Sequence, residues 1–251
     1  MTFSYSILPY ASLLALLLGW ALSPLDRSIT DQLGHRSGVQ SLKNIESRFG
    51  QGLTVAVLGG YRSIAANLIW LSKNQEWEER DIAGTLGKIA MATSIDPRPE
   101  MFWLSGARIL ANDMPTWEVG LENAEQLEIA DEGRAIARQY AKRALAFLEE
   151  SREHHSGNPT MHIEAGMIYW KKLEEVESAA ASFKAAIDTG GAPHFAYRLY
   201  GDLLIEMGHK HEALQLLQSH YETLPDDLLE AMKPVVGDRI RLLKRELSIP
   251  N

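Results

Sequence analysis

The sequence predicts an all-α protein in which a membrane-spanning helix and a connector precede an α-solenoid of about three to four helix pairs. Three observations support this prediction. An uncharged apolar stretch lies near the N-terminus, and apolar residues recur at helical spacing after residue 60 without the alternation typical of strands. A pattern with a glycine at mid-helix also repeats about every 34 residues, which is typical of stacked helical hairpins.

The amino-acid composition argues against several classes of function. The chain has 251 residues, of which 45% are hydrophobic and 23% charged, as in ordinary globular proteins. Its net charge of −8 argues against a nucleic-acid partner, because binding to phosphates needs a basic face. The absence of cysteine excludes disulfides, thiolate nucleophiles and cysteine-ligated zinc or iron–sulfur centres.

Residues 1–26 are predicted to form an N-terminal membrane anchor or signal segment. Residues 7–25 contain no charged side chain and would rise about 28 Å as a helix, close to the thickness of a bilayer core. Tyr5, Tyr10 and Trp20 lie near the segment's ends, where aromatic side chains favour the membrane interface. We favour a single-pass anchor. A signal peptide cleaved near Ala21 and a buried core helix remain open alternatives.

Two opposing indications bear on the orientation of the anchor. Basic residues come after the apolar segment and none precedes it, so the positive-inside rule alone would place the body in the cytoplasm. Asp26 and Asp31 lie close by, however, and most bacterial N-terminal anchors of this kind export the domain attached to them. We therefore expect an exported, periplasmic body, and the cytoplasmic side stays open.

The remainder of the chain divides into a connector and a helical domain. Residues 27–60 form the connector, with a short helix over 39–49 and a break at Gly59-Gly60. Residues 61–251 form the helical domain, including a third helix at 99–111 and a long fourth one at 129–150. Between these two, residues 112–128 are polar and acidic, which indicates an insertion.

Glycines recur at matching places in the predicted helices. Gly166 and Gly201 lie 35 residues apart, and an earlier copy of the pattern surrounds Gly106. We expect each glycine to let two antiparallel helices approach closely, because it has no side chain to stand between them. Each pair must then stack on the next to bury its apolar face. Aligned residues of the second helices, 34 apart, are Ala179 with Ala213 and Phe183 with Leu217.

The best repeats, 159–191 and 194–227, carry a family resemblance. The second repeat follows a motif of large, small and proline positions. The large positions are Tyr197, Tyr200, Leu204 and Leu217, the small ones are Gly201, Gly208 and Ala213, and the proline is Pro225. This pattern resembles the tetratricopeptide repeat (TPR) family and implies a right-handed solenoid. The first repeat matches with one extra residue in its inter-helix turn. The match weakens over 97–150 and again over 62–97, where Lys73 replaces a small residue.

The two ends of the helical domain add to this resemblance. The segment from Leu58 to Arg62, before a helix rich in leucine and tryptophan, looks like the start of membrane-anchored bacterial TPR proteins of unknown role. Residues 226–247 are predicted to be a closing helix whose basic side chains provide the polar outer face that a solenoid end requires. Pro234 and Gly237 are expected to kink or split it.

No catalytic constellation stands out in the sequence. The nucleotide-binding, nucleophile-elbow and zinc-protease motifs are absent, and the histidines and acidic runs are best interpreted as solvated. We therefore predict no enzyme activity, no cofactor and no metal. The minor alternative is an enzyme that uses the acidic insertion with a metal or paired carboxylates.

The resemblance to TPR proteins implies a concave groove lined by the first helix of each pair. Such a mixture of apolar, aromatic and charged side chains suits a peptide or partner protein. We thus expect a membrane-anchored adaptor; the alternatives are an accessory subunit of a larger membrane complex and a groove filled by the chain itself, with Trp103 and Trp170 packed internally. The predicted groove residues are Trp103, Ala107, Leu110, Ile163, Met167, Trp170, Lys171, Arg198, Leu199, Asp202 and Ile205.

Overall fold

A computed structural model describes residues 59–120, 131–226 and 231–249. These ranges are helical throughout apart from turns and contain no strand, so the prediction of an all-α fold is confirmed for them. None of the helices in these ranges is long and apolar enough to cross a membrane. The predicted anchor at 7–25 and the short connector helix at 39–49 lie outside the described residues.

Eleven α-helices occur in the described ranges. The first six are α1 (Arg62–Glu78), α2 (Ile82–Ile95), α3 (Glu100–Arg108), α4 (Met114–Val119), α5 (Asp131–Glu150) and α6 (Arg152–His155). The remaining five are α7 (Pro159–Ile168), α8 (Val176–Asp188), α9 (His194–Glu206), α10 (Lys210–Thr223) and α11 (Lys233–Glu246). The chain divides into two units, residues 1–68 and 69–251.

The described part of the first unit is a glycine turn followed by the start of α1. Gly60 has φ +86, a left-handed conformation that glycine adopts without strain. The helix then begins with a hydrogen bond from the Ala65 N–H to the Tyr61 carbonyl. The break predicted at Gly59-Gly60 is thus a turn that starts a helix.

Helix starts in the second unit obey local capping rules. The Asp81 carboxylate accepts a hydrogen bond from the Gly84 N–H at 3.0 Å and caps α2. The Asn158 side chain caps α7 in the same way through the Thr160 N–H, with Pro159 in the first turn. These caps satisfy N–H groups that have no partner within the helix.

Helices α7 to α11 pack in chain order, each against the next. One continuous apolar core runs through them and includes the fully buried Ala179, Phe183, Ala196, Leu203 and Leu217. Helix α5 packs against α3, α4 and α7, and therefore connects the earlier helices to this series. Over α7 to α11, chain order and spatial order therefore coincide.

The predicted glycine contacts are confirmed. A Cβ atom at Gly166 would lie 3.0 Å from two ring carbons of Phe183, and one at Gly201 would lie 3.1 Å from a Leu217 methyl carbon. At Gly106 the distance to the Phe147 ring would be 2.7 Å. Phe147 therefore packs on the glycine of the α3–α5 hairpin as Phe183 packs on that of α7–α8. The sequence pattern did not identify Phe147 as this partner.

Two of the helices continue through π turns. Helix α3 continues through a π turn, Ile109–Asp113, into α4, and α7 continues through another, Tyr169–Leu173. Each begins three residues after the hairpin's glycine. The helix predicted to end at 111 thus reaches Val119, and the predicted insertion 112–128 begins within helical residues; residues 121–130 lie outside the described part.

The closing helix is shorter than predicted. Helix α11 covers Lys233–Glu246, and residues 227–230 lie outside the described part. Pro234 occupies its first turn, where proline is tolerated because that N–H has no partner within the helix. Gly237 is buried, and a Cβ atom there would lie 3.3 Å from the Tyr221 ring. Instead of kinking the helix, Pro234 lies at its beginning and Gly237 allows close packing against Tyr221.

Candidate functional site

Four of the predicted groove residues are buried. Trp103, Ala107, Leu110 and Ile163 are each less than one tenth exposed. The Trp103 indole N–H donates to the Pro97 carbonyl at 2.8 Å, and its ring packs 4.8 Å from that of Phe147. Helix α3 and its π turn also pack on α5, which covers this face. These four side chains therefore belong to the core, and no partner can reach them in this structure.

The other predicted residues are accessible. Met167, Trp170, Leu199 and Ile205 are partly buried and pack against the core with one side. Lys171 is exposed, and its ammonium nitrogen lies 3.5 Å from the centroid of the Trp170 ring. Such a cation–π contact holds the indole in place while leaving its other surface available.

Charged residues bridge neighbouring helices beside these apolar ones. Arg108 on α3 donates to the Glu164 carboxylate on α7, with an N–O distance of 2.6 Å. On α9, Asp202 accepts from Arg239 of α11 at 2.8 Å. Arg198 donates to the carbonyl of Ala231 at 3.2 Å. Helix α11 thus covers part of the face on which Arg198 and Asp202 were predicted.

The same ion pair borders a cleft between α9, α10 and α11. The cleft has a volume of about 430 Å³, within the range of ligand pockets. Arg198, Asp202 and Leu217 line one side. Its other side comes from α11, through Val235, Val236, Asp238, Arg239 and Leu242.

A second cavity, of about 330 Å³, lies between α5, α7 and α8. Arg152, His155 and His162 contribute polar lining, and the His155 ring nitrogen lies 3.1 Å from the Pro97 carbonyl. Within the described ranges, no group of three or more histidine, aspartate or glutamate side chains is arranged to hold a metal ion.

Two buried titratable groups have shifted pKa values. Burial, aided by His194 and Arg198, lowers the pKa of His220 to about 4, so its imidazole is neutral at physiological pH. Its ring stacks on that of Tyr197 at 3.9 Å. Burial and a hydrogen bond to Glu118 raise the pKa of Tyr140 to about 12. Both shifts keep a buried side chain uncharged and need no catalytic explanation.

Helix α11 is the part of the site that sequence reasoning missed. The sequence placed its basic residues only on an outer face. Arg239 instead donates a hydrogen bond to Asp202, which lies 37 residues earlier in the chain. The inward-facing Val236 and Leu243 of α11, both buried, were the available signal. No protein-family model matches this sequence, and no curated protein matches it significantly.

Proposed function

We propose that this chain is a non-enzymatic adaptor, held at a membrane by residues 7–25, that binds another protein on a TPR-like stack of helical hairpins. The periplasm or its equivalent is the proposed side for the body. Three hairpins with a glycine facing an apolar side chain support the stack. The binding role rests on one observation, the mixture of side chains on α7 and α9, each of which is the first helix of its hairpin.

Equivalent positions of these two helices present a mixed surface. Met167 and Trp170 lie 35 residues before Asp202 and Ile205, at the same places in aligned hairpins. All four are partly exposed. Aromatic and aliphatic anchors beside both signs of charge are the composition that protein interfaces favour at their centres and rims. We call Met167, Trp170, Lys171, Leu199 and Ile205 the α7–α9 surface.

The membrane anchor would strengthen a weak interaction at this surface. A partner in or near the same bilayer is confined to a thin layer, so its effective concentration at the tethered protein is high. Modest affinity at a small, half-apolar surface then suffices for occupancy.

Site-directed photo-crosslinking on intact membranes tests this proposal. A benzophenone amino acid replacing Glu206, an exposed residue at the end of α9, should give a discrete protein adduct. The double variant Trp170→Ala/Lys171→Glu should reduce that adduct at least about tenfold, because it removes an anchor and reverses a charge. A crosslinker in place of the exposed Lys142 on α5 is the matched control. Equal adducts at both positions, or no response to the double variant, would refute the α7–α9 surface.

An exposed stripe on α1 supports a second candidate, an accessory subunit held permanently in a larger membrane complex. Tyr61, Ile64 and Leu68 recur at helical spacing, and each is more than half exposed. An apolar stripe of this kind marks an interface. On a native gel of solubilised membranes the chain would then migrate in a large discrete complex. Ile64→Glu with Leu68→Glu should release it from that complex, whereas Lys142→Glu should not.

A further inference from the structure

We propose that the cleft between α9 and α11 binds an acidic segment of a partner protein that inserts one apolar side chain. This inference rests on the proposed adaptor function and names the chemistry of the partner. The cleft is concave, with a volume of about 430 Å³, and therefore fits a protruding side chain better than a flat lipid surface.

The rim of the cleft is apolar and exposed. Val235 is 48% exposed and Leu242 is 36% exposed, although both line the cleft. They lie seven residues apart on α11 and so share one face of the helix. At the floor, Leu217 and Val236 are buried. An aliphatic side chain entering between Val235 and Leu242 would shield these two exposed side chains from water and rest on the buried pair.

Charge complementarity selects an acidic partner. The chain as a whole has a net charge of −8, yet α11 carries five basic and two acidic side chains. The cleft lining itself is balanced, with guanidinium groups from Arg198 and Arg239 and carboxylates from Asp202 and Asp238, so the net positive charge lies along the rest of α11. Arg245 is exposed one turn beyond Leu242 and pairs with no carboxylate among the described residues. This positive surface on an acidic protein attracts carboxylates and repels further copies of the basic helix.

The existing ion pairs determine which cation is available to a partner. Arg239 is held by Asp202 at 2.8 Å, and Arg241 pairs with Asp238. Arg245 therefore offers the charge that an incoming carboxylate can reach without displacing an internal partner. The arrangement places one apolar pocket and one cation a single helical turn apart. The corresponding partner segment carries a leucine-like side chain and a carboxylate at similar separation.

Fluorescence polarisation with the purified full-length chain tests this assignment. The probe is a fluorescein-labelled peptide of about twelve residues that contains one leucine flanked by glutamates. Two reference peptides replace the leucine by serine or all glutamates by lysine. The acidic leucine peptide should bind, and both reference peptides should bind at least about fivefold more weakly.

Matched variants locate the binding. Arg245→Glu and Leu242→Ser should each weaken binding of the acidic leucine peptide about fivefold or more, because each removes one of the two recognised features. Lys142→Glu on α5 controls for net charge, and Met101→Ser, at a 47% exposed position on α3, controls for loss of apolar surface. Neither control should change the affinity. Circular dichroism verifies that the variants retain their helix content.

The remaining outcomes separate this inference from the adaptor function. Peptide binding that responds to Trp170→Ala/Lys171→Glu but not to the α11 variants would overturn the cleft and leave the adaptor function standing. Binding to vesicles of phosphatidylcholine and phosphatidylserine with the same dependence on Arg245 and Leu242, without peptide binding, would replace the peptide by a membrane surface. Self-association abolished by Leu242→Ser would assign the cleft to a second copy. If none of the peptides binds, the proposal is overturned. Failure of the crosslinking experiment alone would refute only the α7–α9 surface.

Discussion

Helices α7 and α8 form a hairpin of the same plan as α9 and α10, and besides the π turn of the first hairpin the two differ in three details. In the first, Gly166 faces the rigid ring of Phe183, whereas in the second Gly201 faces the flexible side chain of Leu217. Non-glycine Glu174 adopts a left-handed conformation at the first inter-helix turn, and Gly208 adopts it at the second. The position occupied by Ala186 in α8 is occupied by His220 in α10, 34 residues later.

These differences show that one helical hairpin can be closed by different means. The first hairpin relies on a close fit of backbone against an aromatic ring, and such a fit cannot adjust to added volume. The second has a more adaptable apolar contact but includes a buried imidazole, which makes it sensitive to pH. Stability of the two hairpins should therefore respond to different perturbations.

The largest effect is expected from Gly166→Val. A Cβ at that position would meet two carbons of the Phe183 ring at 3.0 Å and the Ser182 Cβ at 3.3 Å. Because the ring cannot bend away, the free energy of unfolding should fall by about 3 kcal/mol. Gly201→Val should cost roughly half as much, because the Leu217 side chain can change rotamer. Urea denaturation followed by circular dichroism measures both.

Gly157→Ala is the control for this pair, because no atom lies within 4 Å of a Cβ placed there. Its free energy of unfolding should stay unchanged or rise slightly. Equal losses for Gly166→Val and Gly201→Val would contradict the distinction between a rigid and an adaptable contact.

The second effect concerns the turn of the α9–α10 hairpin. Gly208 has φ +82 and open space around its Cα, so any loss on substitution reflects backbone conformation alone. Gly208→Ala should lower the free energy of unfolding by about 1.5 kcal/mol, because side-chain-bearing residues disfavour the left-handed region. Thermal denaturation of the variant and the parent provides the comparison. A loss of zero would mean that the turn relaxes to another conformation.

The third effect is a pH dependence caused by His220. Its pKa is about 4 in the folded protein, against 6.5 for an unperturbed histidine. As pH falls below 6.5, His220 binds a proton in the unfolded state but stays neutral in the folded state. The free energy of unfolding therefore decreases until the pH reaches about 4. Between about pH 7 and pH 5.5 the expected loss is about 1 kcal/mol. His220→Leu should flatten that part of the stability profile, measured by urea denaturation at each pH.

An unchanged slope in His220→Leu would assign the acid sensitivity to other groups. His194, whose ring lies 5.3 Å from that of His220, is one of the groups that lower the pKa of His220. His194→Leu therefore accompanies the experiment as a comparison variant.

The smallest effect is expected at the turn of the α7–α8 hairpin. Glu174 has φ +59, and its exposed carboxylate forms an ion pair with Arg138. Glu174→Gly relieves the backbone strain but gives the unfolded chain more freedom, so the net gain should be about 0.5 kcal/mol. Differential scanning calorimetry resolves a change of this size. A clear destabilisation would show that the ion pair with Arg138 outweighs the strain.

Much of the fold could be predicted because its determinants are local. Periodic apolar residues identified the helices, and Gly166 and Gly201 identified the close helix contacts from the sequence alone. The partner of Gly106 could not be predicted in the same way. Phe147 lies 41 residues away, beyond the predicted insertion, so no fixed repeat period connects the two.

The candidate site was predicted less completely than the fold. A helix-face assignment placed Trp103 and Leu110 in a groove, but it could not include the packing of α3 and its π turn against α5. Similarly, the position of α11 over Arg198 and Asp202 combines packing of the buried Val236 and Leu243 with an ion pair between residues 37 apart, and only the spacing of the apolar pair is visible in the sequence. Contacts of this range leave no periodic signature in a single sequence.

The π turn at Tyr169–Leu173 explains how the first repeat accommodates its extra residue. Ala179 follows Gly166 by 13 residues, whereas the aligned Ala213 follows Gly201 by 12. A π turn takes up one additional residue within the helix. In a regular helix the same insertion would rotate everything after it by about 100°. Hairpins that differ in length by one residue can therefore keep equivalent contacts, as Gly166 with Phe183 and Gly201 with Leu217 do.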